Sequence, residues 1–382
     1  MIRWTLLVCL LAGPVWALTY AERIALDLSA YRVTDPDAGY FDVAERRDYL
    51  RHVQSEMMRI EVSDLRMGRA CRDVLDLPMI DHRAVVPGFY EDPINWREVA
   101  RPYLAFEQGV HELAAAQLVA DDRYHADCLI DVFLQWADAN AFEDFHFTKA
   151  RRQAWYQIES PIFAAAMALS TVRPFVKDRM EDLAIVENWL LRVARKHASI
   201  PGSNHGTCCN NHFYRRALYG AMVGVLTGDD QLFQFGVSAV HSALAGAEPD
   251  GALPLEMQRG YLAAHYQNYA LMYLIWIAQI ADRQGYDLYA LEVDGVTLHT
   301  LVDFNVAILE DLRALEPHVD TPDQKLTYQQ DDQYFAWFEL YLSKFPRDDM
   351  EEMIAIRRPL YNRSAGGHTT LIYYRPDEAG QD

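Results

Sequence analysis

Several signatures of common enzyme classes are missing from this sequence. It contains no Gly-x-x-x-x-Gly-Lys-Ser/Thr phosphate loop, no Gly-x-Ser-x-Gly nucleophile turn and no His-Glu-x-x-His metal helix. Beyond the N-terminus no run reaches eighteen apolar residues, so the mature chain is expected to be soluble, without a membrane span. Positive charge is in short supply: 35 Lys and Arg against 55 Asp and Glu leave a net charge of −20. Such a balance argues against nucleic acid as a partner. Strand signal is sparse as well. Residues 368–374, with Thr369, Thr370 and Ile372, form the one plausible strand. No low-complexity tract and no repeat at the level of sequence is visible.

What remains is a folded globular chain. Its 382 residues are 51% hydrophobic and 24% charged, enough to bury a large core in one or two domains. The N-terminus reads as a secretory signal over residues 1–17. Arg3 supplies positive charge, Trp4 to Leu11 is apolar but too short to span a bilayer, and Val15-Trp16-Ala17 offers a small-residue cleavage site. The plainer reading is a buried N-terminal helix. Cys9 would leave with the signal. Cys71, Cys128, Cys208 and Cys209 remain, and an even number in an exported protein suggests disulfides.

Helical periodicity dominates after about Trp96. The pattern predicts helices near 97–120, 123–139, 148–170, 176–198, 211–226, 230–247, 259–284, 294–313, 329–344 and 348–358. Turns such as Thr227-Gly228-Asp229-Asp230 and Pro249-Asp250-Gly251 separate them. Helical hairpins of this length point to an all-α fold, an incomplete (α/α) toroid. Residues 60–97 hold Pro78, Pro87 and Pro93, mixed charge and no lasting period. They read as a long loop, functional or disordered. The expected division is a signal at 1–17, an N-terminal segment and lid loop at 18–97, and the toroid at 98–382.

Two segments carry the chemistry. One is Cys208-Cys209-Asn210-Asn211-His212. The other runs from Asp250-Gly251 through Leu253-Pro254-Leu255-Glu256 and Arg259 to Tyr266. An amide and a guanidinium, Asn211 and Arg259, suit the holding and neutralising of a carboxylate. An imidazole and a phenol, His212 and Tyr266, suit the moving of protons. Together they point to removal of a proton beside a carboxylate, followed by loss of a sugar oxygen. That is the chemistry of a lyase on a uronic-acid polymer. Thr207 or Asn210 is positioned to cap the helix that starts there, and a helix N-terminus favours a carboxylate. Arg259 and Tyr266, seven residues apart, fall on one face of the predicted helix about 10 Å apart along its axis. His265 points about 100° away and reads as structural.

These residues, as Asn210-Asn211-His212-x-Tyr214, Asp250-Gly251-x-Leu253-Pro254-x-Glu256, Arg259 and Tyr266, resemble the alginate lyase family, typified by periplasmic poly(β-D-mannuronate) lyases. The likeness runs from about Tyr90 to about Tyr374. Lesser marks are Phe147-Thr148-Lys149 with Trp155, and Asp332-x-x-Phe335-Ala336-Trp337-x-Glu339-x-Tyr341. Arg215 departs from it, standing where the resembled lyases carry Trp, and so does Gln258, where they carry Lys. The resemblance implies a toroid, a metal-free enzyme without cofactor and alginate as polymeric substrate. It also implies residence in the periplasm, with secretion as the alternative and the polysaccharide-export machinery as a further partner. It makes Tyr90 the tyrosine of a lid over the active-site tunnel. Asn211, Arg259 and His212 would bind the C5 carboxylate, and Tyr266 would take the C5 proton and return one to O4. The phenol would then have to be lowered from about 10. In a second version His212 is the base and Tyr266 only the acid. An acidic protein on an acidic polymer requires a locally basic cleft.

Around this core stand further candidates. Lys149, Arg151, Arg152, Gln153, Trp155 and Gln157 share one predicted helix and either line the substrate groove or form a solvated basic face. Glu256 is read as an anchor for Arg259 or as a surface carboxylate, and Trp337 and Tyr341 as core. A glycoside hydrolase would need two carboxylates about 5–10 Å apart, and Asp250 with Glu256 is the local pair. A non-catalytic polysaccharide-binding protein is the third class. Cys208, Cys209, His205 and His212 would be the ligands of a zinc site. Following the resemblance, the expected disulfides are Cys71 with Cys128 and Cys208 with Cys209, the second pair stiffening the turn before Asn211. Two free buried thiols are the alternative to that second pair.

Overall fold

The computed structural model describes residues 18–80, 86–143, 152–200, 208–321 and 323–376. Among them there is no β-strand; the extended pairings are two isolated bridges, Val293 with Val296 and Asn362 with Gly367. Four helices open the chain: α1 (Tyr20–Ile24), α2 (Val43–His52), α3 (Glu56–Arg66) and α4 (Cys71–Leu75). Six longer ones follow: α5 (Pro93–Val119), α6 (Tyr124–Asp138), α7 (Arg152–Val172), α8 (Met180–Ala198), α9 (Asn211–Thr227) and α10 (Asp230–Gly246). The rest are α11 (Pro254–Met257), α12 (Ala263–Arg283), α13 (Leu298–Glu310), α14 (Trp337–Leu342), α15 (Asp348–Ala355) and α16 (Thr369–Tyr373).

Local chemistry sets many of these bounds. The Asp92 carboxylate accepts from the Asn95 N–H and Pro93 takes the first helical position, so α5 starts there. Asp229 caps α10 in the same way, and Gly228 closes α9 in the left-handed conformation, φ 66°. The helices then pack in two layers. In one, α5 lies on α7, α7 on α9 and α9 on α12; in the other, α6 lies on α8 and α8 on α10. Burial on almost every face of α9 and α12 marks the inner layer. Beyond α12, α14 packs on α12, α16 on α14, α3 on α16 and α3 on α5, which closes the ring into an (α/α) toroid.

The chain before α3 belongs to this body. One hydrophobic core takes in residues from Leu28 to Tyr373. Tyr40 packs edge-on against Trp276, centroids 5.5 Å apart. The buried Arg46 guanidinium donates to the carbonyls of Leu371 at 2.6 Å and Tyr374 at 2.7 Å, satisfying the end of α16. Cys71 and Cys128 form a disulfide between α4 and α6, with Cα atoms 5.7 Å apart. Closing a loop of this length stabilises the fold by about 4 kcal/mol in the chain-entropy picture.

Three expectations need correction. Residues 60–97 are not one long loop: α3 runs into them, α4 lies within them and α5 begins at Pro93. The buried face of α3 is Met58, Glu61, Val62 and Leu65, a helical spacing masked by the charged residues between. The strand expected at 368–374 is α16, whose five residues are all buried; a short apolar run buried on every side has no period that separates strand from helix. The helix expected over 329–344 is two 3-10 turns, Thr327–Gln330 and Asp332–Tyr334, followed by α14. Trp337 and Tyr341 are core, as read from the sequence.

Candidate active site

The site forms where α9 begins and where the turn after α11 enters α12. Asn210 caps α9, its side chain accepting from the His212 N–H at 3.2 Å. Just before it, Cys208 and Cys209 are bonded to each other, with Cys209 at φ 68° and its carbonyl accepting from the Tyr214 hydroxyl at 2.9 Å. A disulfide sulfur is not a thiolate, so this pair does not serve the zinc reading. Asn211 is fully buried. Its backbone N–H donates to Glu256 Oε1 at 2.7 Å and its Nδ2 to Glu256 Oε2 at 2.8 Å.

Arg259 and Tyr266 do not share a helix. Gly260 adopts φ 58°, and a 3-10 turn, Gly260–Leu262, precedes α12. A glycine in that region ends the α-helical path at no steric cost. The turn folds Arg259 back over the catalytic candidate: its guanidinium carbon lies 4.4 Å from the Tyr266 ring centroid. Arg259 Nε stands 3.9 Å from Glu256 Oε2, so the anchoring carboxylate read from the sequence is there, but buried rather than on the surface. The Tyr266 hydroxyl lies 3.0 Å from that of Tyr90. Tyr90, 47% exposed, also packs edge-on against Phe89 and lies under the Lys325 ammonium, 5.7 Å from its ring centroid.

Electrostatics departs from expectation at Tyr266. Burial pushes its phenol above the ordinary range, the neighbouring Tyr90 adds to the rise, and the Arg259 guanidinium opposes it. Burial likewise lifts Glu256 to about 7, against Arg259 and the two Asn211 hydrogen bonds. His265 lies between the parallel rings of Tyr266 and Tyr328 and is pushed down to about 4 by burial first and Lys325 second, which fits its structural reading.

On the opposite wall, the half-buried His212 meets the edge of Tyr156, ring centroids 4.8 Å apart. Trp155 is 1% exposed with the Arg216 guanidinium over its ring, so its face is closed to a sugar; its neighbour Tyr156 is half-buried beside His212. The Tyr156 hydroxyl pairs with that of Tyr269 at 2.9 Å. Arg215 lies beneath, its guanidinium 3.9 Å from the Tyr156 ring centroid and its Nε 3.6 Å from Glu159. Gln153 is half-buried, and Gln157 is buried and accepts from the Trp96 indole N–H at 3.2 Å. Lys149, Arg151 and the side chain of Arg152 lie outside the described residues. Tyr156 and Tyr269 went unread in the sequence; a signal existed, because Tyr266, Tyr269 and Tyr273 recur at helical spacing. Asp250, the other half of the hydrolase pair, is turned to His318 at 2.7 Å.

Arg259, Lys325, Arg215 and His212 therefore gather basic groups on an acidic protein. A separate cavity of about 1150 Å³ lies between α3, α4 and the 359–368 segment. Glu56, Glu61, Asp64, Asp73 and Glu112 outnumber Arg69 and His368 in its lining, a poor match for a polyanion, and the catalytic candidates do not line it.

Comparison with known proteins agrees with this geometry. The family model for alginate lyases matches residues 81–315, more than half of the chain. The alginate lyase of Pseudomonas syringae pv. tomato is 29% identical over 289 residues, 75% of each chain. A polysaccharide lyase of Stenotrophomonas maltophilia is 26% identical over 279 residues, 72% of this chain and 80% of its own. Alginate lyase A1-III from Sphingomonas species A1 superposes with a TM-score of 0.80 at 28% identity, over 92% of this chain and 100% of that one. A Tyr-to-Phe variant of A1-III complexed with a tetrasaccharide gives a TM-score of 0.80 at 29% identity, over 92% and 99%. With a polar site of this make-up set in an (α/α) toroid, the chain belongs to the alginate lyase family and is a polysaccharide lyase.

Proposed function

We propose that the enzyme cleaves mannuronate-rich alginate by β-elimination, leaving a 4,5-unsaturated uronate at the new non-reducing end. Arg259, Asn211 and His212 take the C5 carboxylate, Asn211 being tied to Glu256 before substrate arrives. Neutralising that charge makes the C5 proton more acidic. Tyr266 removes the proton as phenolate, the electron pair forms the C4–C5 double bond, and the C4–O4 bond breaks. The proton on Tyr266 then passes to O4, so no water is added. In mannuronate the C5 proton and O4 lie on the same face of the ring, and one phenol serves both.

The observation that carries this reading is the Tyr266 hydroxyl, 3.0 Å from the Tyr90 hydroxyl and with Arg259 over its ring. Burial keeps the phenol protonated at rest, so its proton must leave before it acts as a base, and the partly exposed Tyr90 is the outlet. The same elevation favours a second version, in which His212 is the base and Tyr266 donates to O4. That version suits guluronate, where the two groups lie on opposite faces. The reading further has the chain exported through residues 1–17 to the periplasm, beside the polysaccharide-export machinery.

The test offers purified protein polymannuronate, polyguluronate and polyglucuronate and follows the ultraviolet absorbance of the unsaturated end. Polymannuronate is expected to react fastest. A clear preference for polyguluronate overturns the first version in favour of the second. New reducing ends without absorbance make the protein a hydrolase, and no reaction makes it a binder.

A further inference from the structure

Glu256 sits where the substrate's charge has a rival. It is fully buried, and both its oxygens are occupied by Asn211, which donates its backbone N–H at 2.7 Å and its Nδ2 at 2.8 Å. Arg259 faces it from 3.9 Å without closing to a hydrogen bond. From α9, Tyr214 also faces it; burial and the charge of Glu256 both push that phenol up, so it stays neutral. His212 follows Asn211 on α9, and Tyr266 from α12 lies under Arg259. The Asn211 Oδ1, buried with its residue, accepts no hydrogen bond among the described residues.

A uronate carboxylate docked at Arg259, the reading proposed above and the one on which this inference rests, has to share that guanidinium with Glu256. Two carboxylates at one site raise each other, and the buried one yields first because it has no water to shield it. We propose that Glu256 takes up a proton from solvent when the uronate carboxylate docks beside Arg259 and gives it back when product leaves. Burial has already brought Glu256 to about 7, so a second negative charge nearby suffices at neutral pH. Once protonated, Glu256 still accepts the Asn211 backbone N–H on one oxygen and donates from the other. The Asn211 amide turns over, gives its idle Oδ1 to that donor and frees Nδ2 for the incoming carboxylate. The proton is bound and released once per turnover and enters neither bond change of the elimination. Glu256 touches no reacting atom; it is a positioning residue for Asn211 and Arg259.

The experiment is titration calorimetry of the Tyr266→Phe protein with a mannuronate tetramer, in two buffers that differ in protonation heat. Near pH 8 the expected result is uptake approaching one proton per tetramer bound, with affinity falling by up to about tenfold per pH unit above 7. Adding Glu256→Gln, whose amide offers the donor and acceptor of the protonated acid, should abolish the uptake and flatten the affinity over that range. Binding without uptake in the Tyr266→Phe protein overturns the proposal and leaves the uronate reading standing, and it needs no Glu256 variant to fold. Uptake that persists undiminished in Glu256→Gln overturns it too, because the proton then lies elsewhere. No binding of the tetramer at all removes the uronate reading and the proposal with it.

Discussion

Tyr266 shows how burial sets both position and chemistry for one side chain. Its ring is held by Arg259 above and His265 alongside, and its hydroxyl meets that of Tyr90. Tyr266→Phe keeps the packing and removes the hydroxyl proposed to carry the proton. Turnover on polymannuronate is expected to fall by at least about 10³-fold with oligomer affinity little changed; a variant keeping more than a tenth of the activity contradicts the role. The four residues read from the sequence as chemical, Asn211, His212, Arg259 and Tyr266, are found at the two segments that meet here, because residue type alone identifies groups that bind carboxylates and move protons. The orientation of each was not legible. Asn211 proves fully buried against Glu256, and Trp155 gives way to Tyr156, because one residue along a helix turns a side chain by about 100° and only packing decides which of two neighbours faces the cleft.

The turn between α11 and α12 is the element that makes the site. A straight helix through Arg259 and Tyr266 would leave them about 10 Å apart along the axis. Gly260 and the 3-10 turn instead fold the guanidinium onto the ring. Periodicity overran this break because Arg259 and Tyr266 fit one helical face by count. The segment open to a lid role is similarly smaller than its sequence suggested. With α3 and α4 packed into the ring, the part of 60–97 that meets the site among the described residues is the segment around Tyr90, just before α5. Hydrogen exchange with and without a mannuronate oligomer should therefore change in the segment 86–92 and leave α3 as it was. Unchanged exchange at 86–92 makes Tyr90 a bystander; a large change in α3 restores the longer lid.

Over the whole molecule, a ring of helical hairpins closed by α3, α14 and α16 buries charged groups near its centre as well as apolar ones. Glu107 and Glu256 are both raised to about 7 by burial, Arg363 opposing it for Glu107 and Arg259 for Glu256. A carboxyl raised on folding contributes its full stability below its unfolded value and loses it as pH rises through the folded one. His111, at about 3, and His265, at about 4, are depressed and lose stability as pH falls below the ordinary histidine range. Between the ordinary carboxyl and histidine values the two effects oppose each other, so thermal midpoints should stay nearly level there and fall on the acid side, each unit of displacement amounting to about 1.4 kcal/mol. Glu107→Gln removes one of the opposing carboxyls, so its midpoints should rise with pH between about 4.5 and 6.5 relative to the parent; an unchanged profile means that Glu107 does not contribute. The all-helical toroid was legible because ten helical periods in succession admit few other folds. Closure of the ring was not, because it depends on short helices that pack on partners far off in sequence, α14 on α12 and α3 on α16. What the molecule is held to do comes down to whether water enters the reaction. Mass spectrometry of a mannuronate oligomer cleaved once decides it. The expected pair of fragments has masses that sum to the parent, one fragment carrying an unsaturated end; a sum heavier than the parent by one water would contradict β-elimination.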